Sequence, residues 1–137
     1  MEAVVQSFIS GLPILLLHFG ITVLMLGLGG VIYVLVTPYH EVELIKKGNS
    51  AAALSLSGAL VGIGIPLSMA MAGSINALDI IIYGAVAITL QLICYKITDL
   101  LIRGLSERIE KGEMSAAIIM VGIKISIALI NAASVSV

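Results

Sequence analysis

Four stretches of the chain stay apolar for long enough to cross a membrane, with short polar connections between them. About 20 mostly apolar helical residues span the hydrocarbon core. The runs Leu12–Val36, Ala51–Ala72, Asp79–Leu101 and Ser115–Val135 each reach that length. The pattern predicts an all-α membrane protein with four transmembrane helices. Glu2, rather than Lys or Arg, precedes the first run and no A-x-A site follows it, so the run reads as a retained helix and not as a cleaved signal peptide.

A shift of 64 residues lays the second half of the chain over the first. It matches Gly20 to Gly84, Leu26 to Leu90, Glu43 to Glu107, Lys47 to Lys111, Gly48 to Gly112 and Gly58 to Gly122. Each half crosses twice, which predicts two tandem parallel repeats, 1–72 and 73–137, related by an axis along the membrane normal. Lys46 and Lys47 follow the first helix, and Lys96, Arg103, Arg108 and Lys111 flank the connection after the third. The N-terminus, the second connection and the tail carry no Lys or Arg. The positive-inside rule therefore places both charged connections in the cytoplasm and both termini outside.

The connections have their own punctuation. Thr37-Pro38 stops the first helix and Gly48-Asn49 turns the chain back, with Gly112 at the matching turn. In the second half no proline intervenes. The spacing of Asp99/Arg103 and Glu107/Lys111 and the stripe Leu101, Leu105, Ile109 predict that the third helix continues into the cytoplasm.

Composition sharpens this picture. With 60% apolar and 11% charged residues, the chain cannot cover a soluble globule with polar surface. A net charge of -1 argues against nucleic acid as a partner, since binding phosphates takes a clustered basic face. Cys94 is the single cysteine, so a disulfide framework and a cysteine metal site are both excluded. Tyr33, Tyr39, Tyr83 and Tyr95 are the tyrosines available for the headgroup level.

Within the spans, small and polar residues are the candidates. Gly58-x-x-x-Gly62 on the second helix is a close-packing motif, and Gly122 and Ser126 mark the corresponding face of the fourth. Pro66 removes a backbone donor and predicts a local kink. Lys124, mid-helix, costs roughly 3 kcal/mol in hydrocarbon and must face protein or water. Gln91 stands at comparable depth as its candidate partner, and Asn131 shares its face. Two readings stay open: a face that meets another subunit or a wet cavity, or a contact within the bundle that sets register. His18 with Thr22, and Asp79 at the start of the third span, form a second candidate polar site. Walker, G-x-S-x-G and H-E-x-x-H signatures are missing, and the glycines of Leu26–Val31 fall in mid-membrane, where they serve packing. No catalysis and no cofactor are expected.

The segments Leu44-Ile45-x-x-Gly-Asn-x-Ala-Ala, Ser57-Gly58-Ala59-Leu60-Val61-Gly62, Ile65-Pro66-Leu67-Ser68, Asp79 with Gly84 and Gln91, and Asn131-Ala132-Ala133 recur in order over nearly the whole chain. In these the sequence resembles the bacterial inner-membrane family catalogued as domain of unknown function 350, also called uncharacterised protein family 0719. The resemblance implies a bacterial inner-membrane location and a tandem two-helix topology, but no activity. Association with phage-shock-type stress proteins adds a hint of envelope maintenance. Gly48, Asn49, Gly58, Pro66, Asp79, Gln91 and Asn131 carry over as motif positions; Lys124 lies outside that pattern, and Glu113 stands where the first half has Asn49. The leading expectation is a homo-oligomeric channel or pore-like component for a small ion or solute at the level of Gln91, Lys124 and Asn131. The alternative is a membrane scaffold that recruits a soluble partner through Glu41–Lys47 and Arg103–Lys111.

Overall fold

In the computed structural model, which describes residues 1–37, 40–102 and 104–135, every regular element is a helix. Four are long and apolar: α1 (Glu2–Val36), α3 (Ser50–Gly73), α4 (Ala77–Leu101) and α6 (Met114–Val135). Two are single short turns of helix on the connections, α2 (Glu41–Lys46) and α5 (Leu105–Glu110). The spans expected from hydropathy lie within one or two residues of α3, α4 and α6 at both ends. In α1 the helix begins ten residues earlier than the apolar run, because nothing in Glu2–Gly11 breaks it and Pro13 sits inside it.

Side-chain caps set two of the starts. Asn49 Oδ1 accepts the Ala52 N–H at 3.0 Å to open α3, and Asn76 Oδ1 accepts the Asp79 N–H at 3.3 Å to open α4. Such caps satisfy donors that the first helical turn leaves without partners, each contributing about 1 kcal/mol. At the other end of α1, the Thr37 N–H and hydroxyl both donate to the Tyr33 carbonyl. The expectations that rest on Pro38, Tyr39 and Arg103 fall outside the described residues.

The third helix does not continue into the cytoplasm as its charge spacing suggested. It ends at Leu101, and Gly104 takes φ +77°, a left-handed conformation that glycine adopts without steric cost, to start α5 in a new direction. Burial explains the break: Leu105 and Ile109 turn fully into the core, while Leu101 of the same supposed stripe stays exposed. Neither Glu43–Lys47 nor Glu107–Lys111 closes as an ion pair; among the described residues Arg108 pairs with Glu113 at 2.5 Å.

The turns after α2 and α5 carry the same backbone bonds. Gly48 and Gly112 have φ +88° and +87°, the Lys47 and Lys111 N–H groups donate to Glu43 and Glu107, and the Asn49 and Glu113 N–H groups donate to Leu44 and Arg108. Asn49 also ties one turn to the other, its Nδ2 donating to the carbonyls of Ile109 and Glu110 at 3.2 and 3.0 Å.

At the centre α3 packs most closely on α6; α4 lies against both and α1 against α3 and α4. Gly58 makes the α3–α6 approach possible, since a Cβ there would stand 2.6 Å from Val121 Cγ2. Ala51, Ser55, Gly58 and Gly62 share the buried face of α3. The expectation for the matching face of α6 fails: Gly122 and Ser126 are exposed, with nothing within 4 Å of a Cβ at Gly122. Lys124 and Asn131, on the opposite side of that helix, are the ones that face inward.

Candidate functional site

The site is built around one buried cation. Lys124 is on the fourth long helix, with 0% of it exposed, and its stem runs inside the bundle toward the end that holds α2 and α5. The ammonium meets groups from three other long helices. It donates to the Tyr33 hydroxyl on α1 and, at 3.3 Å each, to the backbone carbonyl and the hydroxyl of Ser55 on α3. It lies 4.4 Å from the centre of the Tyr33 ring and 5.6 Å from that of Tyr95 on α4. Those two rings meet edge to face at 5.8 Å. Ring faces carry partial negative charge, so each contributes about 1 kcal/mol or more to holding a desolvated cation. Glu41, fully buried at the start of α2, supplies the opposite charge within electrostatic reach of both Lys124 and Tyr95.

From Tyr95 a hydrogen-bonded chain leads outward. Its hydroxyl bonds Ser106 Oγ at 2.6 Å, and Ser106 donates through Oγ at 2.7 Å and N–H at 3.2 Å to Asp99, half-buried in the last turns of α4. Gly104 and the inward turn of Leu105 bring Ser106 beneath Tyr95.

Gln91 does reach Lys124, though not at the ammonium: Nε2 donates to the Lys124 carbonyl at 3.1 Å. The amide fits because position 62 is glycine; a Cβ there would stand 2.8 Å from Gln91 Oε1. That oxygen is buried with no hydrogen-bond partner among the described residues. Pro66 lies one helical turn beyond, buried, and α3 runs through it as a single helix. Asn131 is buried on α6.

The second candidate site is not assembled. His18 is half-buried on α1, and its carbonyl accepts the Thr22 hydroxyl at 2.6 Å. Asp79, in the first turn of α4, borders an open cleft with Ser74, Tyr83 and Val135, and His18 is not on that cleft.

The sequence reading offered Tyr33 and Tyr95 for the headgroup level and gave Ser55 no polar role. A signal for the cage did exist in the 64-residue shift. It pairs Lys124 with Leu60, Glu41 with Leu105, Tyr33 with Ile97, Tyr95 with Val31 and Ser55 with Ile119. At each position one half is polar or aromatic where the other is aliphatic.

Comparison with known proteins places the chain. The model of the Domain of Unknown Function (DUF350) matches residues 7–135. This protein belongs to the DUF350 family. The chain is also similar to the UPF0719 inner membrane protein YjfL of Escherichia coli K12 and its counterpart in Escherichia coli O157:H7. Each is 34% identical over 116 residues, covering 85% of this chain and 88% of the relative. No solved structure matches. The inner-membrane relatives and four apolar helices together identify a multi-pass inner-membrane protein of the DUF350 family. In this chain the Lys124 cage is a set of named residues on which function can be tested.

Proposed function

We propose that the protein is a non-catalytic membrane anchor that presents two charged hairpins to a soluble partner in the cytoplasm. The observation that carries this reading is where exposed charge gathers. Glu43, Lys46 and Lys47 after α1, and Glu107, Arg108, Glu110 and Lys111 after α4, are all exposed on turns that Asn49 holds together. Lys and Arg beside membrane helices stay in the cytoplasm, so both termini are assigned to the outside. A pore between copies of the chain has less support, because Lys124 and Asn131 face the interior of a single bundle and would not line its wall. The partner class is the phage-shock-type stress protein suggested by the family resemblance. A purified protein of that class is expected to bind inside-out membrane vesicles carrying this chain and not right-side-out ones. Arg108→Glu with Lys111→Glu is expected to abolish that binding. Equal binding to vesicles of both orientations, or binding that survives the charge reversal, would sink the proposal.

Two features of assembly belong to the same reading. The halves 1–72 and 73–137 are treated as tandem parallel two-helix repeats, supported by left-handed glycines and turn bonds that recur 64 residues apart. Exchanging 41–49 for 105–113 tests this with Glu41 restored: the chimera should fold, and loss of helicity by circular dichroism would count against duplication. The protein is further assigned as a homo-oligomer, with the outward strip of Gly122 and Ser126 on α6 as the seam, since small residues let membrane helices approach closely. Gly122→Leu has free space in the single chain. It should leave thermal stability unchanged and shift the mass in nanodiscs to that of one chain; an unchanged mass would exclude this seam.

A further inference from the structure

The first long helix is longer than the membrane it crosses. α1 has 35 residues, about 52 Å of helix at 1.5 Å per residue, against a hydrocarbon core of about 30 Å. The apolar run Leu12–Val36 takes up about 37 Å of that length, which helix tilt accommodates. Glu2–Gly11 is left over. Every one of its residues is exposed, with Val4 at 71% and Phe8 at 63%. Phe19 and Thr22 already stand beside Ser68 and Met71, close to the end of α3 at Gly73, so no other described helix runs beside the leading segment.

The segment is two-sided. At about 100° per residue, Val4, Val5, Phe8, Ile9 and Leu12 fall within one arc of about 140°. Glu2, Gln6, Ser7 and Ser10 fall in the opposite arc, together with Ala3 and Pro13. A hinge joins the segment to the span. Pro13 offers no N–H to the Ile9 carbonyl, and its ring pushes that carbonyl away, which opens the helix on the proline's own side. Ser10-Gly11 is a second bending element: Ser10 Oγ donates to the carbonyls of Gln6 and Ser7 at 2.9 and 3.2 Å, back-bonding of the kind that bends helices. Because Pro13 falls in the polar arc, the bend leaves the polar arc on its convex side and the apolar arc on the inside.

We infer that Glu2–Gly11 lies along the bilayer surface as an interfacial helix, hinged at Ser10–Pro13, on the membrane face opposite α2 and α5. Val4, Val5, Phe8 and Ile9 enter the boundary between headgroups and acyl chains, while Glu2, Gln6, Ser7 and Ser10 stay in water. The occupant of the apolar arc is lipid, because the arc leads without a break into Ile14, Leu15, Leu16 and Leu17, which are exposed on all sides of α1 and must be covered by hydrocarbon. Zwitterionic lipid suffices. The segment's side-chain charge is Glu2 alone, with no Lys or Arg for an anionic headgroup to attract. It lies at the other end of the bundle from the charged hairpins, so this role is independent of the anchoring of a soluble partner.

The chain contains no tryptophan, so one introduced indole reports alone. Full chains carrying Phe8→Trp, Val4→Trp or Gln6→Trp are placed in nanodiscs of phosphatidylcholine, either plain or brominated high on the acyl chains. Brominated lipid is expected to quench Phe8→Trp at least about threefold more than Gln6→Trp, and iodide in the water should reverse that order. Val4→Trp should match Phe8→Trp in depth, since a helix lying flat keeps both at one level. Added phosphatidylglycerol should change neither. Gly11→Ala with Pro13→Ala restores a continuous helix at two exposed positions and should cut the quenching of Val4→Trp by about half or more. Phe8→Trp shielded from both quenchers would put protein against this face, either a second copy or the bundle itself, and equal iodide access at positions 6 and 8 would leave the segment in water. Either result would overturn the proposal, as would a depth that falls from position 8 to position 4, quenching that requires phosphatidylglycerol, or quenching indifferent to the hinge variant.

Discussion

Lys124→Ala is expected to destabilise the bundle by about 3–5 kcal/mol, the cost of removing one partner from a buried charged cluster. Tyr33 loses the lysine as a hydrogen-bond donor, Ser55 loses two contacts, and Glu41 loses a cation within its electrostatic reach. A void the length of a lysine stem also opens among α1, α3 and α4. The second part of the expectation separates charge from volume. Lys124→Met combined with Glu41→Gln removes both charges while keeping most of the volume, and should recover most of the loss, because an apolar replacement of a buried ion pair is often close to neutral. Reversible unfolding in mixed micelles measures both. A loss below about 1 kcal/mol for Lys124→Ala would mean that the cage is not desolvated in the way described.

At Gly58 the expected damage is steric. A Cβ at this position would lie 2.6 Å from Val121 Cγ2 and 3.1 Å from Val121 Cβ and Cγ1. Alanine is therefore expected to cost about 1–3 kcal/mol and leucine more, by pushing apart the central α3–α6 pair. Val121→Ala should rescue Gly58→Ala, because it removes the atoms that collide. Simple addition of the two single-variant losses in a double-mutant cycle would show that the helices relax by another route.

The chain declares its membrane spans openly because solvent does the selecting. Hydrocarbon demands long uninterrupted apolar helices, and that demand is written into local composition. The Gly48 and Gly112 turns were legible for a related reason, since a reversal there needs a backbone that glycine supplies locally. The direction each helix faces was not. All sides of these spans are apolar, so no amphipathic stripe distinguishes the interior from the lipid face: Gly122 was read as facing inward, and for Lys124 both a contact within the bundle and one with a neighbour stayed open. Lys124 announced itself through its cost, and Gln91 through its depth. Tyr33, Ser55 and Glu41 gave no such sign, because their roles come from meeting Lys124 across 69 to 91 residues of chain. The break at Gly104 was hidden by a charge spacing that suits a continuous helix; the pull of Leu105 and Ile109 into the core decided against it.

The position of the lysine on the last helix bears on how the protein is made. Chains enter the membrane from the N-terminus as they are synthesised. Tyr33, Glu41, Ser55 and Tyr95 all precede Lys124, so its acceptors are already in place when α6 leaves the ribosome. The costliest residue of the protein is thus delivered into a prepared receptacle instead of bare lipid. A gene rearranged to encode 73–137 ahead of 1–72 would reverse that order, presenting an uncompensated charge to the insertion machinery before any counterpart existed.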